Sequence, residues 1–131
     1  MRKTAEARIT VQQSEAKPYD QATGSTLREI SISEVFIGDL DGTSSVRALQ
    51  IQRNDQSASM VSMQRFQGKL RGHEGTFVLQ GAETVEHGKI QGVWFVVPGS
   101  GTGDLLGLRG EGGFEGQFGK ESHGSLDYWF E

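Results

Sequence analysis

A chain of 131 residues with 13 Lys plus Arg against 17 Asp plus Glu, net charge -4, has the size of one domain and lacks the basic footprint that a phosphate backbone requires. It has no cysteine, which excludes a disulfide, a Cys-ligated metal centre and a thiol nucleophile. Nineteen glycines, two prolines and 23% charged residues make a mixture too ordered for disorder and too glycine-rich for a helical bundle, so an all-β domain with many tight turns is expected.

The basic start, MRKTAEARITVQQSE, has no apolar run behind it, and no later segment reaches bilayer-spanning length. A soluble, cytoplasmic, bacterial-type protein with neither a membrane nor a nucleic-acid partner is expected. The first strand is read over Ala5 to Ser14, followed by a polar, mobile loop from Lys17 to Ser25. Leu27 to Leu40 is the second strand, with Ile30, Ile32 and Phe36 on one face and Val35 and Ile37 on the other, and Asp41-Gly42 closes a hairpin. Arg47 to Arg53 follows, turning at Asn54 to Gln56. Ala58 to Leu70 then places Met60, Phe66 and Leu70 in phase, and Arg71 to Gly75 turns again. Thr76 to Val85 runs through a turn at Glu86, His87 and Gly88 into Lys89 to Val97. A glycine-rich loop, Leu108 to Phe114 and Gly124 to Phe130 complete the chain, with Leu126, Tyr128 and Phe130 aligned.

Long consecutive antiparallel strands with both faces partly apolar need a second sheet or closure to satisfy their edges, and closure is the simpler solution. The expected fold is a single domain over residues 1–131, a closed, mainly antiparallel β-barrel of about eight strands. Gly68, Gly81, Gly92, Gly107, Gly110, Gly112 and Gly113 are read as barrel corners.

Three segments carry a family resemblance: GTFVLQ (Gly75 to Gln80), VVPGSGTGDLLGLRGEGGF (Val96 to Phe114) and LDYWFE (Leu126 to Glu131), with GDLDG (Gly38 to Gly42) and KPY (Lys17 to Tyr19) as weaker anchors. Together they resemble a small family of uncharacterised bacterial proteins, similar in fold to the allene oxide cyclase barrel. The resemblance implies a mostly antiparallel barrel, a homodimer, and no assigned activity. The family pattern often has an acid at Gln64, a His at Gly81 and a Trp at Ser14, so a shared acid-base site at those positions is not implied. Allene oxide cyclases and dirigent proteins hold a reactive apolar substrate in such a barrel, an analogy of fold only.

Gly99, Gly101 and Gly103 follow a strand as a phosphate cradle would, but the spacing is neither GxGxxG nor GxxxxGK[ST], so they read as barrel wall. His73, His87 and His123 sit in or beside polar turns without metal-ligand spacing, and neither metal nor cofactor is expected. Glu34 falls in phase with Ile30, Ile32 and Phe36, and a carboxylate on an apolar face must be paired, protonated or facing a cavity. Both faces of its strand carry apolar residues, so the pattern fits Glu34 inside or outside. Gln64 lies similarly between Met60 and Phe66, and Tyr128 between Leu126 and Phe130; converging, the three would make a polar patch in an apolar lumen that orients a small amphipathic ligand. Arg47, Arg65 and Arg109 are partners for Glu34 and Glu111 or anchors for a ligand carboxylate. Trp94 and Trp129 line a pocket, fill the core or cover a subunit interface.

The candidate ligand-binding set is therefore Glu34, Gln64, Tyr128, Arg65, Trp94 and Arg109. Three readings stand: a barrel that binds a small apolar or amphipathic molecule, a cyclase or isomerase acting in the lumen, and a dimeric structural protein without a ligand.

Overall fold

The computed structural model describes residues 1–131. Eight strands follow one another: β1 (Lys3–Ala22), β2 (Ser25–Gly38), β3 (Leu40–Arg53), β4 (Ala58–Leu70), β5 (His73–Glu86), β6 (Lys89–Val96), β7 (Leu108–Gln117) and β8 (Ser122–Phe130). Each pairs antiparallel with the next, and β8 pairs back onto β1 from Lys3↔Tyr128 to Ile9↔Ser122, so the sheet forms a ring. The sole helix is one 3-10 turn, Gly103–Leu105.

Alternation decides which side chains enter the ring. In β3 the even residues from Leu40 to Gln50 face inward, and in β4 the even residues from Ala58 to Leu70, while their odd neighbours are exposed. The floor is packed with Phe36, Phe66 and Phe77, their ring centroids 5.3 and 5.1 Å apart in sequence order, and Trp94 stacks on Phe36 at 6.4 Å. Leu40, Leu70, Leu105, Leu108 and Leu126, all buried, surround them. Burying side chains of this size contributes about 1.5–3 kcal/mol each, so the floor holds the fold together.

Inward glycines give the large rings room. Along one row of the ladder Gly81, Trp94 and Gly112 stand side by side, and along the next Gly92, Phe114 and Gly124. A Cβ on Gly92 would lie 2.5 Å from Phe114 Cε1, and one on Gly124 3.1 Å from the Trp94 ring. Gly92 and Gly110 are thus spaces beside aromatic or leucine side chains, Gly81 a space beside Glu83 and Gly112 a close approach to the Ser125 backbone, rather than the expected corners. Gly68 does mark a bend: its φ of +153° and its close approach to the Asp41 carbonyl across the ladder exclude any side chain.

Three expectations are corrected. Lys17 to Ala22 is not a loop but the end of β1, laddered onto β2 through Ala22↔Ser25 and interrupted by register shifts at Val11/Gln13 and Pro18/Asp20. The β-branched run of β2 supplies a template that the polar β1 sequence does not advertise, and the shift beside Pro18 accommodates the missing N–H. The hairpin turns at Asp39, whose carboxylate accepts the Glu6 N–H at 3.0 Å, and Asp41-Gly42 lies inside β3. The glycine-rich loop is folded onto the floor end: Ser100 Oγ accepts the Val78 N–H at 3.0 Å, and Leu105 is driven into the core. The histidines lie in or beside turns as expected: His87 within one, His73 directly after Arg71-Gly72 at the start of β5, and His123 second in β8.

Candidate functional site

Above the aromatic floor the inward residues become polar. Glu34 on β2 is directly opposite Ser44 on β3, and Gln64 on β4 is one step along. The shift in β1 occurs beside Val11, across from Glu34, and leaves the phase of β2 intact, so Glu34 stays on the face of Ile30, Ile32 and Phe36 and points inward. Ser44 Oγ lies 2.8 Å from Gln64 Oε1 and 3.3 Å from Glu34 Oε1. A hydroxyl has one proton to give, and the shorter distance places it on Gln64. Glu34 Oε1 is the weaker, second acceptor of the same hydroxyl.

A second carboxylate enters from β5. Glu83 is only 3% exposed, and Ser62 Oγ donates to its Oε2 at 2.7 Å. Its other oxygen, Oε1, is buried with no hydrogen-bond partner. Gly81 supplies the space: a Cβ there would stand 2.5 Å from Glu83 Oε2. Burial pushes the Glu34 carboxyl from its usual 4.5 up to about 7, against the lowering effect of the Ser44 hydroxyl and with help from repulsion by Glu83. Burial also raises Glu83, offset in part by Ser62.

No basic side chain balances these acids. The ion pairs of the protein lie on its exposed exterior, and in the layers of Glu34 and Glu83 the inward positions of β1, β3, β4, β6, β7 and β8 carry no charge. The nearest cation in the lumen is Arg28, at the mouth, whose Nε donates to Gln50 Oε1 at 2.9 Å. Around it opens a hollow of ≈ 640 Å³ with Gln50, Ala58, Val85 and Phe118 on its wall. In register this lies next to the layer of Met60 and Glu83. The ring is also open at its side, because β1 beyond Ile9 has no partner other than β2.

The other candidates separate from this patch. Tyr128 points inward but at the floor end, beside Phe130 and Leu70, so it does not converge with Glu34 and Gln64. Trp94 is core, its indole N–H donating to the Ser125 carbonyl at 3.0 Å. Arg65 is exposed on the outside of β4. Arg109 pairs with Glu131 at 3.1 Å, Arg47 with Glu29 at 3.4 Å, and Glu111 with Arg2 at 3.5 Å, so no arginine serves Glu34. Trp129 carries the Arg2 guanidinium 4.3 Å above its ring. Ser44, Ser62 and Glu83 were outside the candidate set; Glu83 is in phase with Phe77, Leu79 and Val85, a pattern that Gly81 interrupts.

The outer wall carries an apolar strip of Leu49, Val61, Met63, Ala82, Val93 and Phe95. Two rows of the ladder compose it, Leu49–Val61–Ala82–Val93 and Met63–Gln80–Phe95, and Val93 is 66% exposed.

A family described as "Protein of unknown function (DUF3224)" matches residues 5–131. The chain belongs to this family. A crystal structure of a DUF3224 protein of unknown function from Shewanella oneidensis MR-1 superimposes with a TM-score of 0.81 at 25% identity, covering 100% of this chain and 98% of that one. No curated protein matches. No helix of this DUF3224 chain is long and apolar enough to cross a membrane.

Proposed function

We propose that this DUF3224 protein works as a closed barrel of the allene oxide cyclase kind, binding a small amphipathic molecule in its lumen. The observation that carries the reading is the unpartnered, buried Oε1 of Glu83 beside the Glu34–Ser44–Gln64 chain, below a hollow of ≈ 640 Å³. A buried polar atom left without a partner costs about 1–3 kcal/mol, and a ligand group seated there removes that cost. Apolar side chains around it, Ile30, Ile32, Met60 and Phe114, accept the ligand's body. Native mass spectrometry of gently purified protein, followed by denaturation and identification of released molecules, tests it. A stoichiometric small molecule is expected; an apo mass from protein whose Glu34→Gln variant behaves identically would overturn the reading.

The outer strip favours a second, compatible role for the wall as an isologous homodimer interface. Arg47 flanks one end of the Met63–Gln80–Phe95 row, and Glu111 and Asp127 the other. A two-fold axis through the middle of the strip brings Arg47 of one protomer to the acids of its partner. Six strands spaced about 4.8 Å apart span about 24 Å, which suits the ~800 Å² per partner of a standard interface.

A further inference from the structure

Of the polar groups in the two layers, the Ser44 hydroxyl serves Gln64 and Glu34 and the Ser62 hydroxyl serves Glu83, and the one buried polar atom left without a partner is the acceptor Glu83 Oε1. The two inward carboxyl groups, one on β2 and one on β5, repel each other, while the inward cation, Arg28 at the mouth, is held by Gln50 Oε1. A ligand carboxylate or phosphate would add a third negative group to that space. A neutral carbonyl could engage one protonated carboxyl but would leave the second unserved. One positive charge with several N–H donors serves both, because it removes the repulsion and gives Glu83 Oε1 its partner.

Resting on the lumen-binding reading above, we propose that the occupant is an alkyl or aralkyl amine, bound as its ammonium between Glu34 and Glu83 with its apolar body turned to Ile32, Met60 and Phe114. Its binding requires Glu34 ionised. The charged groups that face Glu34 are Glu83 from β5 and, at the mouth, Arg28 of its own strand; β1 and β3 present Val11 and Ser44. Affinity for the amine therefore rises with pH as Glu34 gives up its proton, up to about 7, while the amine itself stays protonated.

The experiment uses three probes of one size, hexylamine, hexanamide and hexanoate, titrated calorimetrically into the full chain at pH 5.5 and pH 8. Hexylamine is expected to bind best, about thirtyfold more tightly at pH 8 than at pH 5.5, as the loss of one linked proton at about 7 gives. Glu83→Gln, close in shape and lacking the charge, should weaken hexylamine at least tenfold and change hexanamide less than twofold; Glu34→Gln should weaken hexylamine likewise and abolish its pH dependence, and provides the check if Glu83→Gln misfolds. Equal or tighter binding of hexanamide or hexanoate would overturn the amine assignment while leaving a ligand-binding lumen in place. Failure of all three probes, together with absence of a co-purifying molecule, would overturn the lumen reading and this inference with it.

Discussion

The two halves of the ring interior are built on opposite principles. The floor below Ser44 is aromatic and aliphatic, closed by Leu105 and the folded glycine loop. The half above it holds two carboxyl groups, two serines and two glutamines among smaller apolar residues, and opens at the mouth and along the free edge of β1. Antiparallel ladders continue through both halves, apart from the free edge of β1 in the upper one. The main difference lies in side-chain burial: one end of the ring buries large apolar side chains, while the other accepts groups that folding alone would exclude.

The largest effect should come from the floor. Phe66→Ala removes a fully buried ring packed edge-on against Phe36 and tilted on Phe77, and a loss of about 3–5 kcal/mol in urea unfolding is expected. A loss below about 1 kcal/mol would mean that the floor is not the stabilising half.

The polar half should respond with the opposite sign. Glu34 is raised from 4.5 to about 7 in the folded protein, so the folded state holds more protons between those values. Its contribution is greatest below pH 4.5 and is lost as pH rises through about 7; at 1.36 kcal/mol per unit, about 3 kcal/mol is at stake. Glu83, also raised, acts in the same direction. Thermal unfolding of the ligand-free protein should therefore show stability falling from pH 5 to pH 8. Glu34→Gln should flatten that slope and raise stability at pH 8 by up to about 3 kcal/mol. A variant less stable than the parent at pH 8 would mark Glu34 as a structural anchor and erase the contrast between the halves.

Much of this contrast was legible in the sequence, because period-two alternation survives wherever the residues are large. Ile30, Ile32 and Phe36 put Glu34 on their own face, with the apolar Val35 and Ile37 leaving open which face is the lumen, and Met60 and Phe66 put Gln64 on theirs. What escaped notice was built from small residues. Ser44 and Ser62 give no hydrophobic signal, and Gly81 breaks the run from Leu79 that would have aligned Glu83. Trp94 could have been placed inside from Val96, two residues on, yet its span also holds Val93 and Phe95 facing outward. Tyr128 was aligned with Leu126 and Phe130, but its height along the ring depends on the stagger between β8 and β1, which no local pattern encodes. The second half of β1 was missed because its order comes from pairing with β2 rather than from its own residues.

The outer wall offers a smaller and reversible effect. If the strip around Val93 joins two protomers, Val93→Asp should shift sedimentation velocity toward monomer, with dissociation at least tenfold easier. Arg47→Glu should do so more weakly, since Arg47 is exposed and shared with Glu29, and adding Glu111→Arg should restore the dimer. A parent chain that sediments as a monomer at all concentrations would remove this role from the wall without touching the lumen.

The smallest expected change separates the inside of the wall from its outside. Gln64 and Arg65 are neighbours in β4, but alternation turns one toward Ser44 and the other toward solvent, opposite Ser45 and Val78. Arg65→Ala should change stability by less than about 0.5 kcal/mol and leave the binding of any lumen ligand unaltered. Gln64→Ala, by contrast, strips Ser44 of its acceptor, and its freed hydroxyl then turns to Glu34. That hydrogen bond favours the ionised carboxylate, so the fall in stability with rising pH should begin from a lower value in Gln64→Ala than in the parent. Equal responses of the two variants in urea unfolding and in pH profile would mean that β4 does not present alternate faces to core and water, and the partition between a functional interior and an inert exterior at this strand would fail.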